Sequence, residues 1–157
     1  MSTGALTRDS TGVGDGIDPR GPRFTAGVTA VLLIVALLVP PLPATVLVVV
    51  QTLFFLLGAV RGVQHTPTSW VFRRLVRPRL GTPDHLEDPR PPRFAQAVGL
   101  AFGVVALVGY LTGAVVLGEV AVGLALVAAL LNSLAGFCLG CEIYLFVARL
   151  RAGRPVI

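Results

Sequence analysis

All thirteen basic side chains in this 157-residue chain are arginines, and every one of them stays out of two long apolar stretches. They fall at residues 8–23, 61–93 and 149–154, leaving residues 24–60 and 94–148 without a single guanidinium. A lone cation is costly in hydrocarbon, and about 20 apolar residues make one helical crossing. Each stretch is therefore long enough to cross a bilayer twice. Arg and Lys accumulate on the cytoplasmic side. The pattern predicts a multi-pass protein of the inner (plasma) membrane with both termini and the middle loop in the cytoplasm and two arginine-free turns outside.

Composition agrees: 54% of residues are hydrophobic and only 13% charged, about half the charge of a soluble domain. The net charge of +5 does not point to nucleic acid, because the arginines flank apolar runs without interleaved aromatics. Anionic lipid at the inner leaflet suits them better. Two cysteines cannot frame a disulfide scaffold. There is no phosphate-binding glycine loop, serine-nucleophile motif or zinc-protease helix. No cofactor or resident metal is expected.

The chain repeats. Asp18-Pro19-Arg20-Gly21-Pro22-Arg23-Phe24 returns as Asp88-Pro89-Arg90-Pro91-Pro92-Arg93-Phe94, with six of seven positions identical. The expectation is an all-α, integral membrane four-helix bundle built from two tandem helical hairpins. Its halves are 18–80 and 88–150, a parallel internal repeat about an axis along the membrane normal. Residues 1–17, rich in Gly, Ser and Thr, read as a disordered tail; 18–150 read as one membrane domain and 151–157 as a C-terminal tail. A signal peptide is the weaker reading of the first apolar run, since a second run follows at once and Pro40-Pro41-Leu42-Pro43 makes a turn.

Helices are expected at about Phe24–Val39, Ala44–Val60 and Phe94–Leu111. A fourth extends from near Gly118 to about Val147, longer than a bilayer requires; it tilts, projects or breaks near Gly136. The aspartates of the repeat suit helix caps, with proline in the first turn. The repeat's arginines mark the interface or, less economically, form a docking surface. In the middle loop, Trp70, Val71, Phe72, Leu75 and Val76 alternate with arginines, which predicts a short interfacial helix with its apolar groups in lipid, stopped by Pro78, Gly81 and Pro83.

One constellation can carry chemistry. In Cys138-Leu139-Gly140-Cys141 the spacing puts both sulfurs on one helix face, where they can exchange a disulfide or persulfide, or offer two ligands to a soft metal. A disulfide between them requires the helix to open or begin there. Gly136 and Gly140 clear space beside them, and Glu142, a carboxylate in a membrane segment, is a functional candidate. On a continuous helix the pair sits about 12–16 Å inside Arg149, and a reducing cytosol favours the dithiol. The plainer reading is two small packing residues. His65 and His85 complete a zinc-like set only without any spacing signature. Gln51, Gln96, Asn132 and Ser133 need partners inside the bundle, with Gln51 and Asn132 near mid-membrane. The pairs Gly99/Gly103, Gly109/Gly113 and Gly136/Gly140 suggest close helix packing.

Asp18–Phe24, Leu75–Gly81, Pro91–Gln96 and the Leu131–Tyr144 block with its Cys-x-x-Cys-Glu together resemble the bacterial membrane family catalogued as domain of unknown function 4395, over roughly residues 16–150. The resemblance implies a small integral membrane protein, common in actinobacteria, often encoded near thioredoxin-like proteins and sulfurtransferases. It carries no catalytic assignment.

Two functions stay open on sequence. In the first, Cys138, Cys141 and Glu142 form a membrane-embedded thiol-redox or sulfur-relay site that serves a cytoplasmic thioredoxin-like protein or sulfurtransferase. In the second, the protein is a non-catalytic scaffold that recruits partners through its arginines, and the cysteines pack. Passage of a small sulfur species through a homo-oligomer is a further alternative.

Overall fold

Prolines and glycines punctuate the apolar runs, and the helices follow them. The structure, a computed structural model, describes residues 16–153. Helix α1 spans Arg20–Leu38 and α2 Pro41–Arg61. Only Val39 and Pro40 separate them: Pro41 and Pro43, expected in the turn, occupy the first turn of α2, where a missing N–H is no loss. The middle loop holds α3 (Pro67–Val71), a π-helical stretch (Phe72–Val76) and α4 (Arg77–Leu80). Two long helices follow, α5 (Arg90–Thr112) and α6 (Val115–Ala135), then α7 (Leu139–Arg151). Four helices of 19 to 23 residues, α1, α2, α5 and α6, are long and apolar enough to cross a membrane. Among the described residues there is no strand, only an isolated antiparallel bridge between Ile17 and Glu87. The disordered tail expected at 1–17 lies outside the described residues except for Gly16 and Ile17, and Ile17 is buried. The C-terminal tail is helical to Arg151, and 154–157 lie outside.

The four long helices form a ring. α1 packs on α2 and α6, and α5 packs on the same two. The half away from the arginines is closed by a core of Leu33, Ala36, Val48, Ala106, Ala121 and Val122. Small residues permit the approach of α5: Gly99 faces Phe55 and Gly103 faces Thr52 of α2, while Gly109 abuts the backbone of Gly118. The expected partner of Gly109, Gly113, instead ends α5 at φ +82°. Inside the ring, the buried Gln51 amide donates to Thr29 Oγ1 at 3.3 Å, the kind of interhelical bond that apolar surroundings demand.

The middle helix departs from expectation in one respect. Phe72 points inward, 3% exposed, with its ring 5.7 Å from Phe24. Trp70 and Leu75 keep the outward apolar role. Pro78 does not stop the helix; it sits in the first turn of α4, and Gly81, at φ +73°, follows the last turn.

At the arginine end the same contacts occur twice. The Asp18 carboxylate accepts the Arg20 N–H at 3.0 Å, and Asp88 that of Arg90 at 2.9 Å. Both act from one residue outside the cap position, which proline occupies. Phe24 meets Phe72 as Phe94 meets Tyr144, each at 5.7 Å. Arg93 donates to the Ala59 and Val60 carbonyls, both 2.7 Å, at the end of α2, and Arg23 lies against Gly136 at the end of α6. A cation there complements the helix dipole. Arg20 also donates to the carbonyls of Leu80 and Gly81, tying the loop to α1.

Hydrogen bonds from Arg20 hold the Asp18 carboxyl below its usual range, against the opposing effect of burial; Arg90 does the same for Asp88. A lowered folded-state pKa means the contribution is complete above the ordinary carboxylate pKa and fades as pH falls through the folded value. Asp18→Asn is expected to destabilise by about 1–3 kcal/mol at neutral pH, the range for a charge-assisted hydrogen bond, and to flatten the loss of stability below pH ~4. Asp88→Asn should cost less, because the Asp88 side chain is 42% exposed against 8% for Asp18. Melting of the detergent-solubilised variants across pH 3–7 checks the order.

Candidate functional site

The fourth apolar helix stops where a glycine can turn left-handed. Gly136 takes φ +67° and ψ 14°. Its N–H donates to the Asn132 carbonyl and the N–H of Phe137 to that of Leu131, both at 3.1 Å. The first of these bonds is that of the αL helix-ending motif, from the left-handed glycine back to the last turn. The expectation of one long helix to Val147 is thereby resolved in favour of a break: α6 ends, three residues pass, and α7 begins.

The break repositions the cysteines. Cys138 is extended (φ −86°, ψ 99°) and caps α7, its sulfur accepting the Cys141 N–H at 3.3 Å. Cys141 lies in the first turn. The two therefore do not share the face of a continuous helix; they sit at a helix start, where the chain brings the sulfurs together. They are joined as a disulfide, with Cα atoms 5.2 Å apart, within the usual range. The local backbone thus already provides the geometry for a bond between the sulfurs, whichever redox state the surroundings impose.

Depth changes as well. Gly140 packs against Ala95 of α5, and Tyr144 against Phe94. Ala95 is five residues, about 7–8 Å, from the start of α5. The pair lies nearer the arginine end than a continuous helix would place it. Glu142 lies beyond the break, exposed in the first turn of the 13-residue α7, where a carboxylate complements the dipole. It therefore need not carry the cost of a charge in a spanning helix.

Cys138, Cys141 and Glu142 line a cavity of about 1060 Å³. The ring that is closed at one half opens at the other. Arg20, Arg23, Asp84, His85 and Asp88 stand around its charged part, and Thr29, Phe55, Phe102, Ala125 and Ala129 lie deeper. Gln96 and Asn132, sought as partners in the bundle, line it too. Asn132 is three residues from the end of α6, away from mid-membrane. Ser133 returns its hydroxyl to the Leu130 carbonyl. Among the described residues, no three His, Cys, Asp or Glu gather closely enough to hold a metal ion; His65 and the cysteines do not meet.

The middle loop holds a counterpart that sequence reading missed. Thr66 caps α3 and accepts the Ser69 N–H at 3.3 Å, as Cys138 does for Cys141. Thr68 occupies the place of Gly140, bonded to Thr25 Oγ1 at 3.0 Å. Where α3 carries a buried hydroxyl cluster, α7 carries a sulfur pair open to a cavity. The only signal was the shared cap-plus-three spacing, with hydroxyls in place of thiols.

Residues 17–149 match a family model described as Domain of unknown function (DUF4395). No curated protein and no solved structure matches the chain.

Proposed function

We propose that this chain, which belongs to the DUF4395 family, is a multi-pass inner-membrane protein whose arginine end faces the cytoplasm and whose Cys138–Cys141 pair is a thiol–disulfide or sulfane-sulfur exchange site. One observation carries this reading: the pair caps a helix at the wall of a cavity, with Cys138 Sγ accepting a backbone N–H. A negatively charged sulfur at a helix N-terminus is favoured by that donor and by the dipole. Arg23, against Gly136, adds positive charge nearby. Glu142 opposes it and so tempers thiolate formation. The doubled contacts at the arginine end support descent from a duplicated hairpin, halves 18–80 and 88–150, in which one copy keeps hydroxyls and the other has thiols.

The partner is a cytoplasmic dithiol protein of thioredoxin type or a sulfurtransferase, docking on the charged surround of the cavity. The scaffold reading has its own support, since Arg20 and Arg93 are spent on internal carbonyls while Arg77 and Arg79 stand exposed. Inside-out membrane vesicles separate the two. After mild reduction, a membrane-impermeant maleimide should label both cysteines from the cytoplasmic face, and right-side-out vesicles should give none. Cysteines that stay unlabelled from both faces, before and after reduction, would leave the scaffold.

A further inference from the structure

We propose that the cavity receives the ring of a lipid-soluble quinone and that Cys138 and Cys141 exchange two electrons with it; this rests on the reading of the pair as a redox site. The chemistry matches in number. Oxidising the dithiol breaks two S–H bonds, forms one S–S bond and releases two electrons and two protons. Reducing a quinone takes up the same, converting two carbonyls to hydroxyls. The thiol protons supply the quinol, and no third reactant enters. The disulfide is then reduced by the cytoplasmic dithiol partner.

The place matches too. The cavity lies among helices of membrane length and runs from Arg20 to Thr29 along α1, nine residues or about 14 Å. Its volume of about 1060 Å³ is at the upper end for an organic ligand. Phe55 and Phe102 offer aromatic faces to a flat ring. The amides of Gln96 and Asn132 line the same space and suit quinone oxygens, which accept hydrogen bonds when oxidised and donate them when reduced.

Access decides between a water-soluble and a lipid-soluble ligand. Leu124, Val127, Leu139 and Ile143 line the cavity yet are 53, 56, 43 and 41% exposed. These apolar side chains on α6 and α7 form a rim on the surface that lipid covers. A carrier dissolved in the bilayer reaches the sulfurs sideways, while a protein approaches from the charged end. The separation of two routes to one disulfide is what an electron relay between cytoplasmic thiols and the membrane pool requires.

The test uses the purified chain in phosphatidylcholine–phosphatidylglycerol nanodiscs, reduced with dithiothreitol, desalted under argon and mixed with decyl-ubiquinone, whose fully substituted ring resists thiol addition. The expected result is one quinone reduced per chain, with both thiols lost together. Ala129→Trp, and independently the less buried Ala128→Trp, should slow this at least about tenfold while reduced thioredoxin still opens the Cys138–Cys141 disulfide at the native rate. Thiols that persist with quinone, in a chain whose disulfide reduced thioredoxin opens, overturn the quinone proposal and leave the exchange site standing; the cavity is then a lipid-filled crevice. Quinone reduction unaffected in both tryptophan variants also overturns it, placing the reaction elsewhere. A pair inert to quinone as the dithiol and to reduced thioredoxin as the disulfide sinks the exchange site itself.

Discussion

Cys141→Ser membranes should accumulate a mixed disulfide between Cys138 and a cytoplasmic thiol protein, Cys138→Ser membranes far less, and the double variant none. The asymmetry follows from the helix start. Cys138 Sγ accepts the Cys141 N–H, a backbone donor that serine at 141 retains. Cys138 is thus the better stabilised thiolate, hence the nucleophile that attacks a partner's disulfide, displacing the partner's other sulfur, and the one that the partner then holds. Cys141, one turn on, resolves the adduct. Its thiol acts intramolecularly at a high effective concentration, so its loss should extend the adduct's lifetime by about two orders of magnitude or more. Membranes quenched with N-ethylmaleimide and compared on non-reducing gels give the measurement. If neither single variant forms an adduct although its remaining thiol labels freely, the pair does no exchange in the cell.

How far the sequence foretold this differs from element to element. The four long helices were legible because arginine exclusion and proline placement act locally: both ends of α1 and α2 and the start of α5 lie within a few residues of an arginine or a Pro, while α5 and α6 end at glycines. The helix starts fell at Arg20 and Arg90, four residues ahead of the expected phenylalanines, because Asp18 and Asp88 satisfy the first N–H from outside. The break at Gly136 was one of three options. An apolar run in lipid has no hydrophobic period to mark its end, and the deciding bonds are to carbonyls four and six residues back. Placing the cysteines depended on that break, so the expected face and depth were both off. Phe72 misled for a different reason: alternation of apolar residues and arginines suggested a lipid face, while its actual partner, Phe24, is far away in sequence. The cavity was not legible at all. It arises from the splay of four helices at one end, and only its isolated polar members, Gln96 and Asn132, hinted that something besides packing was there.

The position of the sulfurs hangs on one contact, and its disruption is the second large expected effect. Gly140 meets α5 so closely that an added Cβ would stand 2.7 Å from the backbone Cα of Ala95 and 2.7 Å from its Cβ. Backbone cannot rotate aside as a side chain does. Gly140→Ala should therefore push α7 off α5, at about 1–3 kcal/mol for overpacking, and Gly140→Val should cost more. The counterpart position tolerates Thr68 because Thr25 faces it at hydrogen-bonding distance; the second half trades that bond for closeness. Gly123 supplies the contrast. It lies within α6 with nothing inside 4 Å of its added Cβ, so Gly123→Ala should be neutral or gain up to about 1 kcal/mol of helix propensity. Displacing α7 moves the cap and the cavity wall together, so Gly140→Ala should also speed dithiothreitol reduction of the Cys138–Cys141 bond while Gly123→Ala leaves it unchanged. Thermal melts in detergent, read beside maleimide labelling during reduction, check both; a Gly140→Ala protein with native stability and native labelling would mean that α7 does not seat against α5 in the membrane.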